Sequence, residues 1–283
     1  MDSSNALAGF VRAIRSGDRE AVRRNPKFAP ALQRLGTALR RSGDAPGSRE
    51  VLERATVLAP GDAVTWHELG LTYRALGRGT DAAAAIRSAL ERDPDFPEAH
   101  NNLGILLLSE GQAPRAETEF REAIRMKTDY ADAHGNLANL LAGQRKYDEA
   151  AAHFDTSLEF APDAAATRFN YAMLLGRIRR YDDAQRQLEA AVRADPDLAD
   201  AREVLGQLLM AKGKANEAAA QFREAVRIRP DSAKAQLGLG AALAMQGDAA
   251  GAVPHLEKAA VDATTREQAE ELLRQLRSGG VRR

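Results

Sequence analysis

The chain of 283 residues contains no cysteine. Disulfides, thiolate metal sites and cysteine nucleophiles are therefore excluded. It also carries no net charge, with 40 Lys plus Arg against 40 Asp plus Glu. A nucleic-acid binder ordinarily shows a basic excess, so no nucleic-acid partner is expected. No apolar run approaches the ~20 residues that cross a bilayer, so membrane insertion is not expected. The opening stretch MDSSNALAGFVRAIRSGDRE mixes charges among its apolar residues, unlike a secretory leader, and a cytoplasmic protein is the expectation. The five histidines, His67, His100, His134, His153 and His255, show no HExxH or other close ligand spacing. GxSxG, Walker and GxGxxG loops are missing too. Neither catalysis nor a cofactor is expected.

Aromatic residues make up only 5% of the chain, whereas Ala, Leu, Arg and Glu are abundant. That balance favours helix. The β-branched runs and alternating patterns of strands do not occur. An internal repeat accounts for the helical content. Leu35-Gly36 returns as Leu69-Gly70, Leu103-Gly104, Leu137-Ala138, Tyr171-Ala172, Leu205-Gly206 and Leu239-Gly240, in steps of 34 residues. The same step links Ala82, Ala116, Ala150, Ala184, Ala218 and Ala252, and it links Pro60, Pro94, Pro162, Pro196 and Pro230, with Thr128 and Thr264 breaking that last series.

Each unit reads as two short amphipathic helices. Gly43, Gly77, Gly111, Gly213 and Gly247 fall where the two join, and glycine tolerates the left-handed turn such a join needs. Asp148, Asp182 and Asn216 fall where N-caps of the second helices are expected. The prolines stop those helices. No unit can bury its apolar face alone, so the units are expected to stack into a solenoid. RSGD at 15–18 and again at 41–44 marks residues 1–28 as a degenerate unit. Seven full units follow over 29–266. Ala269, Leu272, Leu273 and Leu276 share one face of a capping helix over 267–277, with Thr264 and Glu267 at capping-box spacing. Residues 278–283 are expected to be a disordered tail.

The period and its residues resemble the tetratricopeptide repeat family. Trp66, Leu69, Gly70, Tyr73, Ala82, Ile86, Ala89 and Pro94 fall on that family's signature positions. The resemblance implies an all-α, right-handed superhelix whose first helices line a concave groove. Helical spacing puts positions two, five, six, nine, twelve and thirteen of each unit on that side.

PEAHNNLGILLL at 97–108 then raises a question, because asparagine is a poor helix former and two stand in the helix. Asn102, Asn136 and Asn170 all occupy position six, with Asn101 and Asn139 close to the same line. This resembles the asparagine ladder in the repeat region of O-GlcNAc transferase, which implies main-chain contacts to an extended peptide. An amide offers both a donor and an acceptor to a peptide unit. Each such bond nets about 1 kcal/mol, so side-chain contacts must add to it. A solvated face is the plainer account of the same residues.

The rest of the lining is uneven: Arg34, Arg40, Arg41 and Arg74 in the first units, His67 with Glu98 and Asp132 in the middle, and Met173, Met210, Met245, Val204 and Leu237 in the last. Either a partner segment acidic near one end and apolar near the other fits this lining, or the arginines solvate an end and the methionines pack against a neighbouring helix. A clamp for a C-terminal carboxylate, found in some members, is not, because Glu98, Asp132 and Asn101 replace its basic residues. His100 and His134, at the position of Trp66, are expected to pack between helices. The expectation is a non-catalytic interaction scaffold or adaptor. The alternatives are a scaffold that self-associates as a homo-oligomer and a targeting subunit of a separate enzyme such as a glycosyltransferase.

Overall fold

The computed structural model describes residues 27–278 together with Glu20, Val22 and Asn25. The degenerate unit expected over 1–28 and the expected tail lie almost wholly outside the described residues. The described residues form fifteen α-helices and no strand. Fourteen of them make seven hairpins: α1 (Ala29–Arg41) with α2 (Ala45–Leu58), α3 (Ala63–Ala75) with α4 (Gly79–Arg92), α5 (Pro97–Ser109) with α6 (Ala113–Met126), and α7 (Ala131–Gly143) with α8 (Tyr147–Phe160). Then follow α9 (Ala165–Arg177) with α10 (Tyr181–Ala194), α11 (Ala199–Ala211) with α12 (Ala215–Ile228), α13 (Ala233–Met245) with α14 (Ala249–Ala259), and finally α15 (Arg266–Arg277). The chain divides into two compact units, Met1–Leu140 and Leu141–Arg283, with the division inside α7. Successive helices pack on one another from α1 to α6 in the first unit and from α8 to α15 in the second, and α1 with α3, α11 with α13 and α13 with α15 also touch as alternate neighbours.

The repeated Leu-Gly pair shows how a hairpin closes. Leu103 is 4% exposed, and a Cβ placed on Gly104 would stand 2.6 Å from the buried ring of Phe120 on α6. The missing side chain is the space the ring occupies. Phe222 on α12 is held in the same way from two sides, by Gly206 at 2.8 Å and Gly238 at 2.4 Å. Where alanine replaces glycine at 138 and 172, the side chain is also buried.

The first helices end in left-handed turns. Gly43, Gly77, Gly111, Gly213 and Gly247 all have positive φ, as the sequence predicts. Arg145 and Arg179 hold the equivalent places at φ 64° and 62°. Gln112 N donates to Leu107 O at 2.8 Å and Arg180 N to Leu175 O at 2.9 Å, the six-to-one bond of a Schellman turn with and without glycine.

The helix starts correct the sequence reading. Lys146, Arg180 and Lys214 occupy the N-caps of α8, α10 and α12, so Asp148, Asp182 and Asn216 lie inside the helices. The second helices thus start two residues earlier than that reading allowed. Among the caps of the second helices only aspartate accepts a backbone N–H, as Asp44 does from Gly47 at 3.0 Å and Asp248 from Gly251 at 2.8 Å. The capping box at Thr264 is likewise absent: Thr265 caps α15, and its hydroxyl donates to Ala259 O at 2.6 Å instead.

Position four resolves a puzzle of composition, because Trp, His, Arg and Gln all occur there. Trp66 Nε1 reaches Pro60 O at 3.0 Å, His100 Nε2 reaches Pro94 O at 3.0 Å, and His134 Nε2 reaches Thr128 O at 3.1 Å. Arg168 donates to Pro162 O and Arg202 to Pro196 O, both at 2.8 Å, and Gln236 donates to Pro230 O at 2.8 Å. Each side chain brings an N–H to a carbonyl left open just beyond the preceding helix. The packing expected of His100 and His134 is thus directed by a hydrogen bond.

Candidate functional site

The first helices carry the residues singled out in the sequence. In the first unit many of those residues are engaged with one another. Arg40 grips Glu68 through Nε at 3.2 Å and Nη2 at 2.8 Å. Arg74 Nη1 donates to Asn102 Oδ1 at 3.0 Å. Position twelve of one hairpin thereby bonds position six of the next, twice in succession. Two of the four arginines expected to meet acidic residues are thus occupied.

Asn102 is half-buried and its amide orientation is set by three bonds. Nδ2 donates to Glu98 O at 2.8 Å and lies 3.0 Å from His67 Nε2, while Oδ1 takes the bond from Arg74. Turning the amide over would set its oxygen against the Glu98 carbonyl. His67 Nε2 must therefore accept, which requires a neutral ring protonated at Nδ1. Burial also pushes the His67 pKa below its ordinary value, with Arg40 and Arg74 adding to the effect and Glu68 and Glu98 opposing it. His67 was expected on the groove lining; it is instead 7% exposed, its ring 4.8 Å from that of Phe96.

One hairpin further on the pattern returns. Asn136 Nδ2 donates to Asn101 Oδ1 at 2.9 Å. Asn101 is only 4% exposed and also bonds the Tyr130 hydroxyl. Burial pushes that hydroxyl to a pKa of about 12, with Asp132 and Glu98 adding and the Asn101 bond opposing. Asn101 thus serves the interior rather than the surface. The amides of α5 and α7 join neighbouring first helices, which answers why poor helix formers stand there: a buried polar network specifies how two helices meet. Asn139, in contrast, is exposed on α7.

In the second unit Asn170 is half-buried on α9 and Met173, one turn on, is 41% exposed. Tyr171 between them points inward, its ring 5.2 Å from Phe154. Burial, together with its bond to Asp155, pushes its hydroxyl to a pKa of about 12. Met245 is 54% exposed at the end of α13. Met210 instead lines a cavity of about 880 Å³ bounded by α11, α12, α13 and α15. Leu237, Ala241, Phe222 and Leu272 form its apolar walls, with Lys234 on α13 and Glu267 and Glu271 on α15 around them. That volume falls within the range of about 300–1,000 Å³ usual for ligand pockets. This cavity was not expected from the sequence. Position six carries Arg34, Glu68, Asn102, Asn136, Asn170 and Val204 in the other hairpins and Gly238 in this one, and the room a side chain would take at Gly238 is filled by the Phe222 ring that lines the cavity.

Among the described residues no helix is long and apolar enough to cross a membrane, and no cluster of three or more His, Asp or Glu could hold a metal ion.

Comparisons with known proteins agree with this architecture. No curated protein sequence matches the chain. The structure is similar to that of the APC/C hetero-tetramer Cut9-Hcn1, with a TM-score of 0.73 at 16% identity, covering 83% of this chain and 46% of that one. The chain thus spans less than half the length of that relative. It is also similar to YrrB, described as a tetratricopeptide repeat protein with an unusual peptide-binding site, with a TM-score of 0.57 at 23% identity over 67% of this chain and 99% of that one. A third similar structure is PilF of Pseudomonas aeruginosa, with a TM-score of 0.67 at 21% identity over 78% of this chain and 97% of that one. At these identities the likeness is one of fold. The tetratricopeptide repeat family itself matches residues 67–131, 103–165, 169–233 and 205–269. With that match extending over well more than half of its residues, the chain belongs to the tetratricopeptide repeat family.

Proposed function

We propose that this protein is a non-catalytic scaffold that holds an extended segment of a partner protein against the outward faces of its first helices. The observation that carries the reading is the cavity on α11, α13 and α15, which opens among positions two, five, six and nine of the seventh hairpin and nine and twelve of the sixth. A pocket with apolar walls and a few polar groups at its edge suits a side chain of a partner. Exposed Met173 and Met245 extend the apolar character of this unit, and methionine adapts to varied apolar surfaces. Asn170, in the same unit as the cavity, supplies an amide for a partner's main chain. Asn102 and Asn136 contribute less, because the amide nitrogen of Asn102 already bonds Glu98 O and His67, and that of Asn136 bonds Asn101. The acidic-to-apolar order expected of the partner weakens for the same reason, since Arg40 and Arg74 are taken up by Glu68 and Asn102.

The test is affinity capture from an extract of the source cells. The wild-type chain is compared with one carrying Asn170→Ala, Met173→Glu and Leu237→Glu, with circular dichroism confirming equal helicity. The wild type is expected to retain a partner that the variant loses. Identical captured proteins would remove the first-helix face as the binding surface.

A further inference from the structure

The cavity of the second unit has a chemical polarity that selects its occupant. Its floor is the ring of Phe222, fixed between Gly206 and Gly238. Its walls are Met210, Leu237 and Leu272, so the interior accepts a bulky apolar group. The mouth is not symmetric in charge. Glu267 and Glu271 stand one turn apart on the α15 wall, where i and i+4 share a face, and both are exposed. The α13 wall offers the single cation Lys234. Glu271 is engaged by Arg274 at 2.8 Å, but that pair is exposed, with 70% of the Arg274 side chain in solvent, so a competing cation displaces it at little cost.

We propose that this cavity binds a partner segment in which a bulky apolar residue is followed or preceded directly by lysine or arginine. The apolar side chain enters over Phe222 and the cation lies along α15 between Glu267 and Glu271. This rests on the scaffold reading and narrows it, naming the chemistry of the segment. It also reverses the expectation from the sequence, in which acidic residues of a partner met arginines of the first hairpins.

A random octapeptide display selection against the immobilised full chain tests the proposal, followed by titration of one enriched peptide by fluorescence anisotropy. Enriched sequences are expected to pair Phe, Leu, Met or Trp with an adjacent Lys or Arg. Substitution at Gly238 would push on Phe222 and disturb the fold, so two other variants are used. Ala241→Leu, which fills the cavity, is expected to abolish binding. The double change Glu267→Lys with Glu271→Lys, on the exposed face of α15, is expected to weaken it about tenfold, at roughly the worth of two exposed ion pairs. The loss should shrink as salt rises. No enrichment, enrichment of acid-flanked sequences, or binding unaffected by Ala241→Leu would each overturn the proposal. So would a concentration-dependent dimer that Ala241→Leu dissociates, which would make a second copy the occupant. Failure here with a captured partner still lost from the triple variant above would leave the scaffold reading standing.

Discussion

Single residues show most clearly where local and distant demands part. Arginine stands at 145 and 179 in a backbone conformation that the other hairpins give to glycine. A side chain in that region is disfavoured by roughly 1–2 kcal/mol. Arg179→Gly is therefore expected to stabilise the protein by about 1 kcal/mol, less the greater freedom glycine has when unfolded. Urea denaturation checks it, and a destabilised variant would show that Arg179 makes a compensating contact. Two histidines differ in protonation. His100 has acceptors on both sides, Glu119 Oε2 at 2.6 Å from Nδ1 and the Pro94 carbonyl at Nε2, which only a doubly protonated ring satisfies. Burial opposes the charge on His100, but these bonds outweigh it and its pKa is raised. Its stabilisation is thus fully present below the unfolded value of about 6.5 and is lost as pH rises through the raised value. His67 is the reverse: its pKa is lowered, so its contribution is present above about 6.5 and is lost as pH falls through the depressed value. Proton NMR titration should place His67 below and His100 above the free imidazole; coincident midpoints would contradict both geometries.

The helical hairpin depends on fits that a repeat pattern shows only in outline. Gly104 faces the fully buried ring of Phe120, which a Cβ there would meet at 2.6 Å. Gly104→Ala is expected to cost about 1–3 kcal/mol by overpacking, seen as a lower urea midpoint with an unchanged slope. A cost below the error of the measurement would mean that the ring shifts. The carbonyls beyond the second helices give a second test. Arg202→Leu keeps bulk but removes the N–H aimed at Pro196 O, with an expected loss of about 1 kcal/mol. Arg202→Gln should restore most of it, because Gln236 makes the same bond to Pro230 O. Equal effects of the two substitutions would exclude that role. The elements themselves were legible from the period, the glycines and the prolines. Their N-caps were not: cap residues are read from type, and Lys146, Arg180 and Lys214 are not cap-forming types.

At the scale of the molecule, stability is a sum of contacts between neighbours, because no hairpin closes a core alone. The last hairpin of the second unit is covered by α15, whose Ala269 and Leu273 are buried. Removing residues 264–283 should lower the thermal midpoint and make particle size depend on concentration in light scattering, since an apolar face is opened. A truncated chain as stable and as monodisperse as the intact one would mean that α15 does not cap. What the sequence determined unaided is the repeat: period, helical class and left-handed joins are properties of short stretches, each written in residues close together in the chain. What only the tertiary structure decided is which polar atoms are spent inside. Asn102 meets His67 and Asn136 meets Asn101 across 35 residues, and whether such an amide faces a partner or a neighbouring helix depends on the offset between stacked helices and on side-chain torsions. The cavity over Phe222 has the same origin, because the ring packs onto Gly238 and a space remains over it only where α11, α12, α13 and α15 stand around it.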